Sequence, residues 1–399
     1  MADAQIAVIG GGIAGCLLAC ELSDLGGDVA LIDANDELMA GASCWNEGKI
    51  HLGLTYLGTD SLETAQLMLE GASVFEEAIE SIVQAKLPEE WYTRKVIYLV
   101  DPGSQFPVDV LWNRASAVAG LLSKMAESRS GLRRYLAGGP VLERLDPEEA
   151  AELTRQGSVS AAWETVERAI APGPLASLIR SAVKAREIPV LASRVQSIRQ
   201  KPGGWIVDTD RDSFEASIIV NCSWESRVAL DRCVADNSER ISIRYKNAIF
   251  CSQHPTACSI RPSTRILGRF GDITPYANGD LYLSWYPAGL AAHSDNGVPP
   301  EVPQVDLQQV IRETLAGLGL DRSLLESPPA TIQVRGGYIV AHGYGDIDHK
   351  DSPLHRRSQP GAHELRPDYI SVDTGKFSLG PLMASRAAAL VQRQPGWRK

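Results

Sequence analysis

The stretch CWNEGKIHLGLTY, from Cys44 to Tyr56, sets a lysine and a histidine two residues apart. Read with period two, Lys49, His51, Gly53 and Thr55 fall on one side, and Ile50, Leu52, Leu54 and Tyr56 on the other. The polar side joins a cation to an imidazole that exchanges protons near neutrality, and Gly53 leaves a gap against which a flat body could lie. His51 is therefore a candidate base and Lys49 a second candidate catalytic group. A hydrogen-bonded structural histidine and a solvated lysine are the competing readings of the same positions.

A second stretch, Gly10-x-Gly12-x-x-Gly15, has the spacing of a pyrophosphate cradle. The first glycine permits the tight turn. The second lets the backbone approach the phosphates at a helix N-terminus, and the third lets helix and strand pack closely. Asp33, at the end of the next apolar run, is placed to accept hydrogen bonds from a ribose. The fingerprint does not by itself separate NAD from FAD. A third stretch, VRGGYIVAHGYGDID, gathers Arg335, Tyr338, His342, Tyr344 and Asp346. A guanidinium grips a carboxylate bidentately, so Arg335 is the candidate clamp, with a structural ion pair as the alternative. Tyr56, Tyr338 and His342 complete the expected substrate contacts. DSPLHRR holds His355, Arg356 and Arg357 and reads as a loop. His342 and His349 lack a diagnostic ligand spacing, and no metal is expected.

These residues need elements to hold them. Ile6–Ile9 reads as an apolar strand, Ile13–Leu25 as a buried helix closed by Gly26-Gly27, and Val29–Ile32 as a second strand. That strand–turn–helix–strand unit of about thirty residues is the context the fingerprint requires. Asp60-Ser61-Leu62-Glu63 reads as a capping box before a long amphipathic helix, and KIHLGLTY as a half-buried strand. A strand at 95–100, helices at 109–127 and from Asp146-Pro147, and another helix from Pro172 follow. Three antiparallel strands come next, at 194–200, 205–209 and 214–221. Strand signals dominate from 240 to 345, with one helix near 306–318, and the last segment is strand, glycine loop and helix.

The chain has 399 residues, long for one core, so two sub-domains are expected. A net charge of −10 argues against nucleic-acid binding and gives no support for an anionic membrane patch. No apolar run is long enough to span a bilayer, and the start lacks a basic n-region, so a cytoplasmic protein is expected. The seven cysteines contain no C-x-x-C pair and read as reduced thiols, with Cys16 and Cys20 packing in the core.

GGGIAGCLLACELSDLGGDVALIDA, then GASCWNEGKIHLG, then RVQSI…GGWIVDTD…SFEASIIVNCSW, then DTGKFSLGP before a last helix, together resemble the D-amino-acid-oxidase-like superfamily of FAD-dependent oxidoreductases. That superfamily includes glycine and sarcosine oxidases, and the segment NEGKIHLGLTY…DSLE is most similar to its L-2-hydroxyglutarate and glycerol-3-phosphate dehydrogenase branches. The resemblance implies an α/β fold, α+β overall: a Rossmann-like FAD-binding domain (1–84, 140–238 and 330–399) and a mixed-sheet substrate domain (85–139 and 239–329). It implies non-covalent FAD held by Gly10, Gly12, Ile13, Ala14 and Gly15 at the pyrophosphate, and by Asp33 at the ribose. Ala42 and Ser43 would lie along the diphosphate and ribityl chain, and Val195 at the adenine. Asn221, Cys222 and Ser223 would line the FAD from the third strand, where the superfamily often has a glycine that this chain lacks. Gly375, Lys376, Phe377, Ser378 and Leu379 would form the last loop, whose helix N-terminus would face the flavin N1–C2=O edge.

The implied activity is oxidation of a CH–OH or CH–NH bond of a small, carboxylated substrate by hydride transfer to flavin N5. Oxygen, a quinone or a carrier would take the electrons. A tailoring oxidase acting on a larger or carrier-tethered molecule is the alternative, since 85–140 and 240–330 match weakly. An NAD-dependent dehydrogenase is a third possibility; no second G-x-G-x-x-G follows mid-chain, which argues against a two-nucleotide reductase.

Overall fold

The computed structural model describes residues 4–156, 159–236, 239–325 and 331–397. Its first half runs β1 (Ala4–Ile9), α1 (Ile13–Asp24), β2 (Val29–Asp33), α2 (Glu63–Val83), β3 (Ile97–Val100), α3 (Val108–Ala126), β4 (Leu142–Leu145), α4 (Pro147–Thr154), β5 (Ala161–Thr165) and α5 (Pro172–Ala185). There follow β6 (Val190–Ala192), β7 (Val195–Lys201), β8 (Gly204–Thr209), β9 (Ser213–Asn221), α6 (Arg227–Asp231), β10 (Ile241–Ser252), β11 (Ser263–Ile266), β12 (Gly271–Pro275) and β13 (Leu281–Trp285). The chain continues through α7 (Tyr286–Gly289), β14 (Leu290–Ser294), α8 (Leu307–Leu318), β15 (Thr331–His342), β16 (Gly361–Arg366), β17 (Tyr369–Asp373) and α9 (Gly380–Val391).

Two mixed sheets result. In the first, strands run in the order β16-β17-β9-β1-β2-β6, with β8 and β7 branching from β9. The five strands from β17 to β6 are parallel. Alternation decides what each face meets. Ile6 and Val8 pack with α1, α2, α5 and α9, while Ala7 and Ile9 pack against the β7–β9 meander through Ile198, Trp205 and Val207. Helix α1 is buried on almost every side, which explains why its sequence is apolar all round.

The second sheet runs β14-β10-β13-β12-β11-β3-β5-β4, with β15 pairing β10 along twelve residues. Ile249, Cys251, Ile273, Leu281 and Leu283 face α8 and its stripe of Val310, Leu315 and Leu318. The alternate residues of β10 and β13 turn the other way, toward the cavity described below.

Several expectations are corrected. β4 and β5 hydrogen-bond into the second sheet, and so does β15, although their segments were assigned to the cofactor domain. Backbone pairing with β3 and β10 outweighs sequence adjacency there. The dividing points at 238 and at 329–330 lie outside the described residues. The capping box does not form: α2 starts at Glu63 with Leu62 at its N-cap and no side-chain cap, and Ser61 Oγ instead accepts from Glu63 N at 3.4 Å. Asp146 does cap α4, accepting from the amides of Glu148 and Glu149. Residues 49–56 are not a strand. Lys49 makes one isolated bridge to Ala169, and the chain then turns, Tyr56 N donating to Gly53 O at 3.0 Å. Among the described residues no helix is long and apolar enough to cross a membrane.

Candidate active site

Ligands of open parallel sheets bind beyond the carboxyl ends of the strands. Here those ends supply Gly10–Ala14 after β1, Asp33–Asn35 after β2, Cys222–Ser226 after β9 and Thr374–Phe377 after β17, and all of them line one cavity. Gly10 holds φ +103°, and a Cβ there would stand 2.5 Å from the Cys222 carbonyl oxygen. A Cβ on Gly15 would meet the Gly10 carbonyl oxygen at 1.9 Å. Asp33 Oδ2 accepts from Gly11 N at 2.6 Å and Oδ1 from Asn35 N at 2.8 Å, which pins the carboxylate beside the turn. Ser43 Oγ accepts from Ile13 N at 2.9 Å, at the N-terminus of α1. Ala42 and Val195 complete this arm, which is walled by backbone and small side chains and fits an extended dinucleotide.

Four residues expected to touch cofactor stand outside the cavity lining. Gly15 is the close-packing glycine under the turn. Asn221 is fully buried and spends its amide on Arg227 O, Asp231 Oδ1 and Tyr369 OH, and its carbonyl on Ser223. Ser378 lies beneath His51, accepting from its backbone N at 3.4 Å, and Leu379 packs against Gly71 of α2.

The cavity continues to the second sheet, where Lys49 and His51 meet. Lys49 Nζ donates to Thr264 Oγ1 at 2.5 Å and Asp272 Oδ1 at 2.9 Å. Burial works against its ammonium, but Asp272, with Glu47 and Glu167, outweighs burial and holds the pKa above the ordinary lysine value. Lys49 is thus a fixed cation, not a base. The His51 ring is buried, with Nδ1 lacking a hydrogen-bond partner at 3.9 Å from Glu167 Oε1, and Nε2 at 3.7 Å from Glu47 Oε1. Burial, then Lys376 and Lys49, push its pKa well below the usual histidine range, so the ring is neutral near pH 7.

Glu167 escaped the sequence reading. It is fully buried, accepts from Leu52 N at 2.6 Å and from Tyr98 OH at 2.5 Å, and its pKa is raised by burial. The gap at Gly53 is also accounted for differently. Gly53 holds φ +99°, and a Cβ there would lie 2.6 Å from Ala65 Cβ of α2. The glycine lets the turn close on a helix and is not among the residues that line the cavity.

Arg335 is exposed, with its guanidinium over the Trp45 ring at 5.7 Å, and is not part of the lining. His342 is bound to Asp373 Oδ2 at 2.7 Å, also outside it. Tyr338 does line the cavity, its hydroxyl donating to Pro300 O at 3.2 Å, and so does Tyr56, whose buried hydroxyl has no partner. The arginines that reach the cavity are Arg244 and Arg357. Arg244 Nη1 donates to Tyr286 OH at 2.8 Å, while Nε and Nη2 are buried without partners. Arg357 Nη1 donates to Val340 O at 2.7 Å, and Nε is unpartnered. Burial, then the neighbouring Arg244, lowers the Arg357 pKa to about 10. Lys246, bonded to Ser284 Oγ at 2.8 Å, and Lys376 join them. One signal for this set was present: IRYK places two cations at alternate positions of an apolar strand.

The family model for the FAD dependent oxidoreductases (DAO) matches residues 5–346. No curated protein matches by sequence. Among solved structures, an iminodiacetate oxidase from Chelativorans sp. BNC1 superposes with TM-score 0.69 at 16% identity, covering 99% of this chain and 97% of that one. A glycine oxidase from Geobacillus kaustophilus gives 0.67 at 16% identity, covering 98% and 95%. An L-α-glycerophosphate oxidase from Mycoplasma pneumoniae, solved with FAD bound, gives 0.66 at 14% identity, covering 100% and 96%. At these identities the structural likeness is one of fold.

Proposed function

We propose that this chain, which belongs to the DAO family of FAD-dependent oxidoreductases, oxidises a CH–NH or CH–OH bond of a small carboxylated substrate in the cavity between its two sheets. One observation carries the reading: Arg244, whose buried Nε and Nη2 have no partner, lines the same cavity that the glycine turn lines. Unpaired buried guanidinium donors are costly, and a carboxylate is the group that would satisfy both at once.

FAD, when bound, supplies the acceptor for the hydride. Gly10, Gly12, Ile13, Ala14, Asp33, Ala42, Ser43, Val195 and Cys222 would hold its nucleotide arm, and Gly375, Lys376 and Phe377 its other end. Arg244 and Arg357 orient the substrate through its carboxylate. His51, neutral and with Nδ1 free, takes the N–H or O–H proton as the bond to carbon is oxidised. Glu167 and Glu47 flank the ring and stabilise the imidazolium that forms. The electrons leave to oxygen, a quinone or a carrier, and the seven unpaired cysteines suit a reducing compartment, the cytoplasm.

Anaerobic mixing with the right substrate should bleach the flavin of the holoprotein. No reduction by any hydroxy acid, amino acid, amine or polyol phosphate would sink the reading. His51→Asn should slow that bleaching on the order of 10²-fold with FAD retained, and an unchanged rate would remove His51 as the base.

A pH dependence follows from Lys376, whose pKa burial, then Arg357, lowers to about 7. Its ammonium attracts a bound carboxylate below that pH and is lost above it. The Kd of a non-reacting acid bound against Lys376 should therefore climb from pH 7 upward, by at most about tenfold per pH unit, until the higher pKa of the complex is passed. Lys376→Met should flatten that profile.

A further inference from the structure

We infer that the substrate carries two anionic groups, one held by Arg244 and Arg357 and the other by Lys246 and Lys376. This rests on the reading of the cavity as the site where a small anionic substrate is oxidised.

Arg244 and Lys246 are two residues apart on β10, so their side chains leave the same face about 7 Å apart along the strand. Facing them across the β10–β15 pairing are Ile339 and Gly337, which bring no counter-charge. Arg357 and Lys376 arrive from the segments on either side of the β16–β17 hairpin and line the same cavity.

The carboxylates nearby are largely engaged. Asp272 is bonded to Lys49 and Thr264, and Asp373 to His342 and Gly375 N. Glu167 holds Tyr98 and Leu52 N, and burial moves it toward its neutral form. Glu47 remains; burial opposes its charge, but Lys49, Lys246 and Lys376 keep it ionised. With Lys376 protonated, four cations set against one carboxylate leave three positive charges in a wall whose arginines are buried and whose lysines are half-buried. A monocarboxylate would neutralise one of them and leave Lys246 and Lys376 to share Glu47. A second anionic group about one alternate-residue spacing away answers that surplus, with each charge-assisted bond made to a side chain already in place.

The test uses holoenzyme, titrated with non-reacting acids and followed by the visible flavin spectrum and by the melting midpoint. Succinate, glutarate and adipate are compared with propionate, butyrate and hexanoate, and with glycerol 3-phosphate. The best dianion should bind at least about tenfold more tightly than the monocarboxylates. Lys246→Met should erase that advantage while changing the monocarboxylate Kd less than about threefold, whereas Arg244→Met should weaken both classes. A glycerol phosphate that outranks every dicarboxylate identifies the second group as a phosphate. Equal Kd values for dianions and monoanions overturn the inference and leave the proposed oxidation standing. If no acid moves spectrum or melting midpoint, the reading of a carboxylate-binding cavity falls with it. Should Lys246→Met yield no holoprotein, Lys246→Gln and the ranking on unaltered enzyme decide the matter.

Discussion

Gly15→Ala is expected to yield a protein that folds poorly and keeps almost no flavin. The added methyl would stand 1.9 Å from the Gly10 carbonyl oxygen, an atom of the main chain that no rotamer change can withdraw. Overpacking against flexible side chains costs about 1–3 kcal/mol. Here α1 must instead be pushed off the β1 turn, which moves the amides of Ile13 and Ala14 at its N-terminus. An increase in the FAD Kd on the order of 10²-fold corresponds to about 3 kcal/mol, and that is the minimum expected. Flavin released by acid from the purified protein, per mole of chain, measures it. Retention of stoichiometric FAD would show that the turn and helix do not need this contact.

Arg227→Met should be the most destabilising single change outside the glycine turn. Arg227 is buried, with Nη1 on Asp231 Oδ2 and Ser371 Oγ, both at 3.1 Å, and Nη2 on Glu239 Oε2 at 3.0 Å and 3.7 Å from Asp373 Oδ2. Its removal strands Asp231, which is itself fully buried beneath Asn221, Tyr369 and Ser371. Breaking a buried ion pair on one side costs about 3–5 kcal/mol, a large share of the stability of an ordinary domain. The effect should reach the active site too, because Asp373 Oδ1 anchors Gly375 N at 2.9 Å, one residue before Lys376. Urea unfolding followed by far-UV signal should show a fall in midpoint with an unchanged m-value. Loss of flavin at denaturant concentrations where the unaltered protein keeps it should accompany that fall. A midpoint within the error of the unaltered protein would mean that the remaining donors, Asn221, Tyr369 and Ser371 to Asp231 and His342 to Asp373, suffice without the arginine.

The cofactor half was legible because each of its features is local. The apolar strand, the glycines and Asp33 lie within one short unit, and period-two alternation in β1 divides correctly between helices and meander. Lys49–Tyr56 misled for the opposite reason. Its alternation is real, yet both sides are buried: Ile50 and Leu52 join the core of the first sheet, Leu54 that around α3, and Lys49 and His51 are enclosed by β11, β12 and the β5–α5 connection. The partners that decide their chemistry are distant in sequence: Thr264, Asp272 and Glu167. No window of sequence contains them. Arg335 and Arg244 sit on paired strands, and sequence alone does not show which of them lines the cavity: Arg244 does, while Arg335 stands exposed beside Trp45.

Helix α1 has one further consequence. Its N-terminus follows the glycine turn, it is buried on almost every side, and α9 is among the helices that cover it. During synthesis the ribosome makes α1 early and α9 only after the intervening chain has been produced, an interval of about 20 to 70 s at ordinary elongation rates. Until then the side of α1 that α9 covers stays exposed, and until β15 is made the β10–β15 wall of the cavity is incomplete. The cofactor cavity thus gains its last wall, and α1 its last covering helix, only near the end of synthesis, however early the glycine turn is made.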